Sequence, residues 1–123
     1  LNLTILNNLH YIQNLNLENN QHLHIDLINS SLIVLPELRE LNLGNNPKNI
    51  IKKFDLRESK NLLKLNLHSI PINLDDLESI PFENFKQLKE INLSNILLNF
   101  SLPFLKKIFT KNVNSIDIRY DYI

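Results

Sequence analysis

The sequence predicts an α/β solenoid, with short parallel strands on a concave side and short helical or irregular segments returning along a convex side. Three observations predict this fold class. An apolar-x-x-apolar-x-apolar phrase recurs five times in 123 residues, its middle anchors lie 24 to 26 residues apart, and apolar residues at every third position lead into several copies. Self-similarity at such a period is typical of repeat architectures and predicts about five coils. The anchors are Leu15, Leu41, Leu65, Ile91 and Ile116.

Each phrase contains a strand triplet in which two apolar residues flank a polar one, as in Leu41-Asn42-Leu43. Successive side chains of a strand point to opposite faces, so both leucines are predicted to point inward and Asn42 outward. The same triplet recurs at 15–17, 65–67, 91–93 and 116–118. One such strand cannot bury its apolar side alone, whereas stacked parallel copies can.

The repeated phrase resembles the signature of the leucine-rich repeat family, L-x-x-L-x-L-x-x-N/C-x-L in units of about 20 to 29 residues. The resemblance covers residues 12 to 123. In this family the asparagine turns inward after the strand, where its amide satisfies backbone groups of the turns. The corresponding residues are Asn20, Asn46, Ile70, Ile96 and Asp121, so the turns at the two isoleucines are predicted to differ.

The segments between the phrases predict short helical or 3₁₀ turns, because apolar residues recur every third position through 6–15, 32–41 and 82–91. Asp75 and Asp76 suit the first turn of one such helix, with Ser31 or Asn73 as candidate helix caps. Residues 104–110 predict an amphipathic helix. The opening Leu1-Asn2-Leu3 echoes the strand triplet too close to Leu15 for a full coil, which predicts an irregular start or the tail of a preceding coil.

Composition restricts the function classes. The formal net charge is zero, with 13 basic and 13 acidic residues, so no global field steers the chain to nucleic acid or to an anionic membrane. No apolar run reaches the roughly 20 residues of a membrane span. The chain is interpreted as one domain, 1–123, incomplete at both ends, since it opens on Leu1 and neither end has a polar capping unit.

No catalytic or metal motif is present in the sequence. A Gly-rich phosphate loop is excluded by a single glycine, and there is no cysteine to act as nucleophile or ligand. His22-x-His24 has no supporting second cluster, and Asp75-Asp76-Leu77-Glu78 lacks the ligand spacing of a calcium loop. We therefore expect no enzymatic activity, no cofactor, no metal and no small-molecule substrate in this segment.

The concave face is the candidate site, since strand residues between and beside the buried leucines project there. Glu40, Lys64 and Glu90 are predicted to alternate in charge down one column. Arg and Tyr are favoured in interaction hot spots, which draws attention to Arg119 and Tyr120. The candidate partner-binding residues are Asn16, Glu40, Asn42, Lys64, Asn66, His68, Glu90, Asn92, Arg119 and Tyr120, and Asn14, Glu18, Ser94, Ser115 and Asp117 are predicted to project to the same face.

The resemblance implies protein–protein recognition by a rigid scaffold, as an adaptor or a subunit of a larger assembly. A secreted or surface recognition protein is an alternative, for which four glycosylation sequons at Asn2, Asn29, Asn92 and Asn99 count slightly. A regulatory region of an enzyme whose catalytic part lies outside this chain is another, as is a ribosome- or RNA-associated subunit. The absence of cysteine favours a cytoplasmic or nuclear location.

Overall fold

Five short strands form one parallel sheet in the computed structural model, which describes residues 3–22, 31–96, 103, 106 and 113–119. The strands pair in chain order, so each of the three inner strands lies between its sequence neighbours. They are β1 (Asn14–Asn16), β2 (Glu40–Asn42), β3 (Lys64–Asn66), β4 (Glu90–Asn92) and β5 (Ser115–Asp117). The stretch that contains each strand and its flanking turns is referred to below as the repeat of that strand.

The register of the sheet confirms the predicted anchors. Leu15 pairs with Leu41, Leu41 with Leu65, Leu65 with Ile91, and Ile91 with Ile116. Each strand begins one residue before its predicted triplet, but hydrogen bonding continues beyond it. The backbone N–H of Leu17 donates to the carbonyl of Asn42 at 2.9 Å, and equivalent bonds follow β2, β3 and β4.

The core lies behind this sheet and is built by the residues predicted to point inward. Leu41, Leu43, Leu65 and Leu67 are each at most 1% exposed, and Leu93 matches them in the β4 repeat. The outer repeats bury less. Leu15, Leu17 and Ile116 are only partly buried, and Ile118, which was predicted to point inward, is 48% exposed. Two phenylalanines of the β4 repeat, Phe82 and Phe85, meet edge to face with ring centroids 6.0 Å apart.

The turn after each of the strands β1 to β4 contains one residue with a positive φ. These residues are Asn19, Asn45, Ser69 and Asn95, with φ between 55° and 65°. Asparagine tolerates this left-handed conformation better than most residues with a side chain, which explains three of the four identities.

The asparagine expected to turn inward does so in the β2 repeat. Asn46 is 3% exposed, and its Nδ2 donates to the carbonyls of Leu17, Leu43 and Gly44 at 2.8, 2.8 and 3.0 Å. Asn20 also donates to the carbonyl of Leu17, at 2.7 Å, but remains exposed.

The two isoleucines at the equivalent position are buried instead, with Ile70 at 0% and Ile96 at 5% exposure. The repeats of β3 and β4 therefore place apolar side chains where the β2 repeat has Asn46. The backbone of these turns does not differ as predicted, since Ser69 and Asn95 have the same positive φ as Asn45. The fifth equivalent, Asp121, lies outside the described residues.

The returning segments contain two short α-helices, α1 (Ile50–Lys53) and α2 (Leu74–Glu78), and 3₁₀ helices at Leu3–Asn8, Leu56–Glu58 and Phe82–Asn84. The predicted cap of α2 is confirmed. Asn73 accepts a hydrogen bond from the N–H of Asp76 at 2.8 Å, and Asp76 accepts one from the N–H of Asn73.

The structure corrects one expectation about the returning segments and favours one alternative of another. Ser31 precedes no helix, because Ile33 is extended and forms a parallel bridge with Phe54. Leu3 begins a 3₁₀ helix and is buried, which favours the irregular start over a strand-like tail.

Most of the amphipathic helix predicted at 104–110 lies outside the described residues, although Lys106 is helical. Across the described ranges, no helix has the length and apolar character that a bilayer crossing demands.

Candidate functional site

A groove of about 480 Å³ runs across the open face of the sheet. Two columns of polar side chains form its walls, and each column takes one residue from each strand. The charge column consists of Asn14, Glu40, Lys64, Glu90 and Ser115. The asparagine column consists of Asn16, Asn42, Asn66, Asn92 and Asp117.

The charge column has the alternation that the sequence predicts. The register places Lys64 between Glu40 and Glu90. Its Nζ lies 3.5 Å from a carboxylate oxygen of Glu40 and 3.7 Å from one of Glu90. The three side chains are 43 to 52% exposed, so solvent weakens both ion pairs. One lysine between two glutamates leaves the column with an excess negative charge.

The asparagine column holds the backbone of the turns as well as facing the groove. In each repeat the Oδ1 of this residue accepts a hydrogen bond from the backbone N–H two residues later. The N–H donors are Glu18, Gly44, His68, Ser94 and Arg119, at 2.9 to 3.1 Å. Such a bond fixes both the turn and the rotamer of the side chain.

Because Oδ1 already accepts a hydrogen bond from the turn, these asparagines offer a ligand their Nδ2 donors rather than a whole free amide. Among the described residues, no acceptor pairs with the Nδ2 of Asn42 or Asn66. The asparagines of the column therefore present amide N–H donors at strand spacing, which is about 4.8 Å, whereas Asp117 presents a carboxylate. This division of roles was not evident from the sequence, where each Asn only appears to point outward.

A third column lies beside the groove, at the residue that follows each predicted triplet. In the middle of this column, His68 extends over Gly44 to the carboxylate of Glu18, two repeats away. Its other ring nitrogen, Nδ1, lies 3.0 Å from the hydroxyl oxygen of Ser69. The side chain of His68 is 21% exposed, and that of Glu18 33%. Sequence reasoning missed this contact, although the chain's single glycine was a signal for it.

Beside β5, the side chain of Arg119 pairs with Asp117 of the same repeat. Its guanidinium donates to both carboxylate oxygens of Asp117, at 3.0 and 2.7 Å. These side-chain bonds, joined by the backbone N–H of Arg119, lower the pKa of Asp117 from its ordinary value. The ion pair is exposed, with Arg119 78% accessible.

The structure brings together seven of the ten predicted site residues. Asn16, Glu40, Asn42, Lys64, Asn66, Glu90 and Asn92 all line the groove. His68 and Arg119 lie in the third column rather than in the groove lining. Tyr120 lies outside the described residues.

The residues considered for metal binding are not gathered into a site in the described part of the chain. No group of three or more His, Cys, Asp or Glu side chains comes together there. His22 is exposed, and His24 lies outside the described residues. Asp76 of the acidic cluster closes the cap of α2, and its Oδ1 lies 3.6 Å from the Nζ of Lys52.

Comparison of this chain with protein-family models, with curated proteins and with solved structures finds no match.

Proposed function

We propose that the chain is a leucine-rich repeat solenoid that binds a protein partner in the groove on its concave face. The fold part of the proposal is supported by five near-equal repeats, by strands that pair in chain order and by the inward-turned Asn46. The functional part is supported by the groove, whose walls are polar whereas the residues behind the sheet are apolar.

The single observation that carries the functional proposal is the asparagine column. Its side chains are held in place by their Oδ1 bonds to the turns, with N–H donors left over. Donors that are fixed before binding lose little conformational entropy when a partner docks. Such a row suits a partner that presents carbonyl or carboxylate oxygens along the direction of strand stacking, as a polypeptide segment does.

The charge column adds selectivity to this surface. Lys64 has a carboxylate on each side, so a partner that inserts an acidic group competes with Glu40 and Glu90 for it. A partner with basic groups opposite Glu40 and Glu90 meets the excess negative charge of the column. Complementary charge of this kind contributes to specificity and association rate more than to raw affinity.

Reversal of the central charge tests the proposal. Lys64→Glu should leave the fold intact, because Lys64 is half exposed, and should weaken binding of the captured native partner by roughly tenfold. Circular dichroism and thermal unfolding check the fold. The partner is identified by cross-linking to the wild-type chain, and the equilibrium dissociation constant is then measured with that partner purified on its own.

Lys106→Glu is the matched control, since it makes the same charge change at an exposed helical residue outside the strands and the groove lining. It should bind as the wild type does. Normal binding by Lys64→Glu together with loss of binding in Lys106→Glu would contradict the proposal and would place the contact near Lys106.

A further inference from the structure

The turns that lead into the strands have the same geometry in four repeats. In each, a backbone N–H donates to the carbonyl three residues earlier and closes a four-residue turn. The bonded pairs are Ile12 to Leu9, Leu38 to Leu35, Leu62 to Ser59 and Leu88 to Phe85, at 3.0 to 3.3 Å. The two central residues of these turns are therefore equivalent from repeat to repeat.

Lysine occupies the same central position in two neighbouring turns. Lys60 and Lys86 each lie four residues before the first residue of their strand, and β3 and β4 are paired in register. Their backbones are thus about one strand spacing apart, roughly 4.8 Å. Both side chains are exposed. Like charges on directly adjacent strands or turns are unfavourable for folding.

Two more cations lie where the strands begin. Arg39 and Lys89 each precede their strand by one residue and are exposed. Their carbonyls accept hydrogen bonds from the next repeat, at 2.7 to 3.1 Å, so the backbone that bears each side chain is fixed. The four residues Arg39, Lys60, Lys86 and Lys89 are named the basic rim below.

The basic rim is not neutralised within the described part of the chain. None of its four side chains forms an ion pair with a described residue, whereas Lys52, Arg57, Lys64 and Arg119 each pair with at least one carboxylate. The acidic residues within three positions of the rim are Glu37, Glu40, Glu58, Glu83 and Glu90. Glu40 and Glu90 pair with Lys64, and Glu83 has a partner of its own. A chain of zero net charge thus gathers, where its strands begin, four cations that pair with no described carboxylate.

We propose that the basic rim is a second interaction surface, which binds an acidic segment of a protein partner. A carboxylate between Lys60 and Lys86 would offset the repulsion between them, which nothing among the described residues does. The rim lies at the entry to the strands, outside the lining of the groove, so this proposal does not depend on groove binding.

An acidic polypeptide fits the rim better than a nucleic acid because carboxylates are interspersed with the cations. Glu37 lies in the turn before Arg39, and Glu40 and Glu90 directly follow Arg39 and Lys89. A phosphate backbone is anionic at every unit and would meet these carboxylates. A peptide can place acidic residues against the lysines and neutral or basic residues against the glutamates. Tyr11 is not part of the rim. Its exposed ring lies in the β1 repeat, and the turn that contains Glu37 separates it from Lys60.

Fluorescence anisotropy with a labelled oligo-glutamate peptide tests the proposal. The wild-type chain should bind this peptide at low ionic strength, and the double variant Lys60→Gln/Lys86→Gln should bind it roughly tenfold more weakly, the effect expected of two exposed ion pairs. Lys48→Gln/Lys106→Gln is the matched control, because it removes the same charge from two exposed lysines elsewhere, and it should bind within about twofold of the wild type.

Three results would overturn the proposal. They are the absence of oligo-glutamate binding by the wild type, an equal loss in both double variants, and a labelled oligo-uridine that binds the rim more tightly than oligo-glutamate does. The equal loss would show that net charge alone governs binding, and the oligo-uridine result would assign the rim to nucleic acid. Thermal unfolding confirms that the rim variant is folded, since removal of two adjacent like charges should not lower its stability.

Discussion

Gly44 is the chain's single glycine, and the imidazole of His68 occupies the space where a side chain at this position would lie. Its φ is not positive, so the glycine is required for room rather than for an unusual backbone conformation. With no Cβ in the way, His68 passes over the β2 repeat and reaches Glu18. The contact joins the β1 and β3 repeats through side chains and passes over the β2 repeat between them.

Gly44→Ala should displace His68 from Glu18. A methyl group there overlaps with the far end of the imidazole, which can rotate away. The variant should lose about 1 kcal/mol of unfolding free energy, the typical net contribution of one intramolecular hydrogen bond. Urea unfolding measures this loss. In a His68→Ala background the same substitution should be neutral or slightly stabilising, because alanine restricts the unfolded chain more than glycine does.

Equal effects of Gly44→Ala in the two backgrounds would show that the two sites are independent. The stabilising role assigned to the Glu18–His68 contact would then be wrong. Ser69→Ala serves as a control, since it removes the neighbouring hydroxyl without blocking the path of the ring.

At this scale the sequence predicts the direction of a side chain better than its hydrogen bonds. Alternation along a strand places Asn42 and Asn66 outward, and they are outward. That their Oδ1 atoms bind the following turn depends on the turn geometry, which the triplet does not encode. The same holds for Asn45, whose positive φ follows from the bend after β2.

Among the elements, the strands are predictable and the returning segments only partly so. The strand triplet recurs in five equivalent copies, so a wrong strand assignment in one copy would conflict with the pattern of the other four. Each returning segment is different. An apolar residue at every third position fits a 3₁₀ helix such as Phe82–Asn84, but it also fits an extended residue followed by a turn, as at Ile33. The cap of α2 is local, and Asn73 was therefore identifiable from its neighbours.

The 3₁₀ helix Leu56–Glu58 has a charged cap whose effect depends on pH. Asp55 accepts hydrogen bonds from the Nε of Arg57 at 2.9 Å, from its guanidinium terminus at 2.7 Å and from its backbone N–H at 3.2 Å. The side-chain hydrogen bonds of Arg57 are the main cause that lowers the pKa of Asp55 below its model-compound value of 3.8. The ionised form is therefore favoured in the folded chain.

Asp55→Asn should reveal this linkage. A carboxyl whose folded pKa is lowered stabilises the fold above its unfolded pKa, and this contribution is lost as the pH falls through the folded pKa. The wild type should thus exceed the variant in thermal stability at neutral pH, and the gap should close below about pH 4. Asparagine is itself a good cap, so the variant isolates the charge. A gap that is constant from pH 7 to pH 3 would contradict the linkage; unfolding temperatures across this range decide.

At the scale of the whole molecule, stacking in register turns a sequence of zero net charge into distinct surfaces. The charge column is net negative, whereas the basic rim at the strand entries is positive. Neither surface is visible in the composition, because both arise from residues about 25 positions apart in the chain. The charge column could be predicted once the repeats were aligned, since each of its members directly precedes a triplet within the repeated phrase. Lys60 and Lys86 of the rim could not, because they lie before the phrase, and the equivalence of their turns is known only from the hydrogen bonds.

The same stacking makes the β2 repeat indispensable to the rest of the fold. Leu41 is 1% exposed and lies in register between Leu15 and Leu65. In a repeat array each unit contacts mainly its neighbours, so loss of an inner unit separates the units on either side of it.

Leu41→Asp should abolish cooperative folding. The substitution forfeits about 1.5–3 kcal/mol of apolar burial and places a carboxylate where it has no partner, at a further cost of several kcal/mol. The sum approaches the whole stability of a typical domain, about 5–15 kcal/mol. Far-ultraviolet circular dichroism during heating should show a broad, non-cooperative change. Ile118→Asp is the matched control, because Ile118 follows β5 and is 48% exposed, and it should keep a sharp transition. A sharp transition in Leu41→Asp, within about 1 kcal/mol of the wild type, would mean that the repeats do not depend on continuous burial behind the sheet.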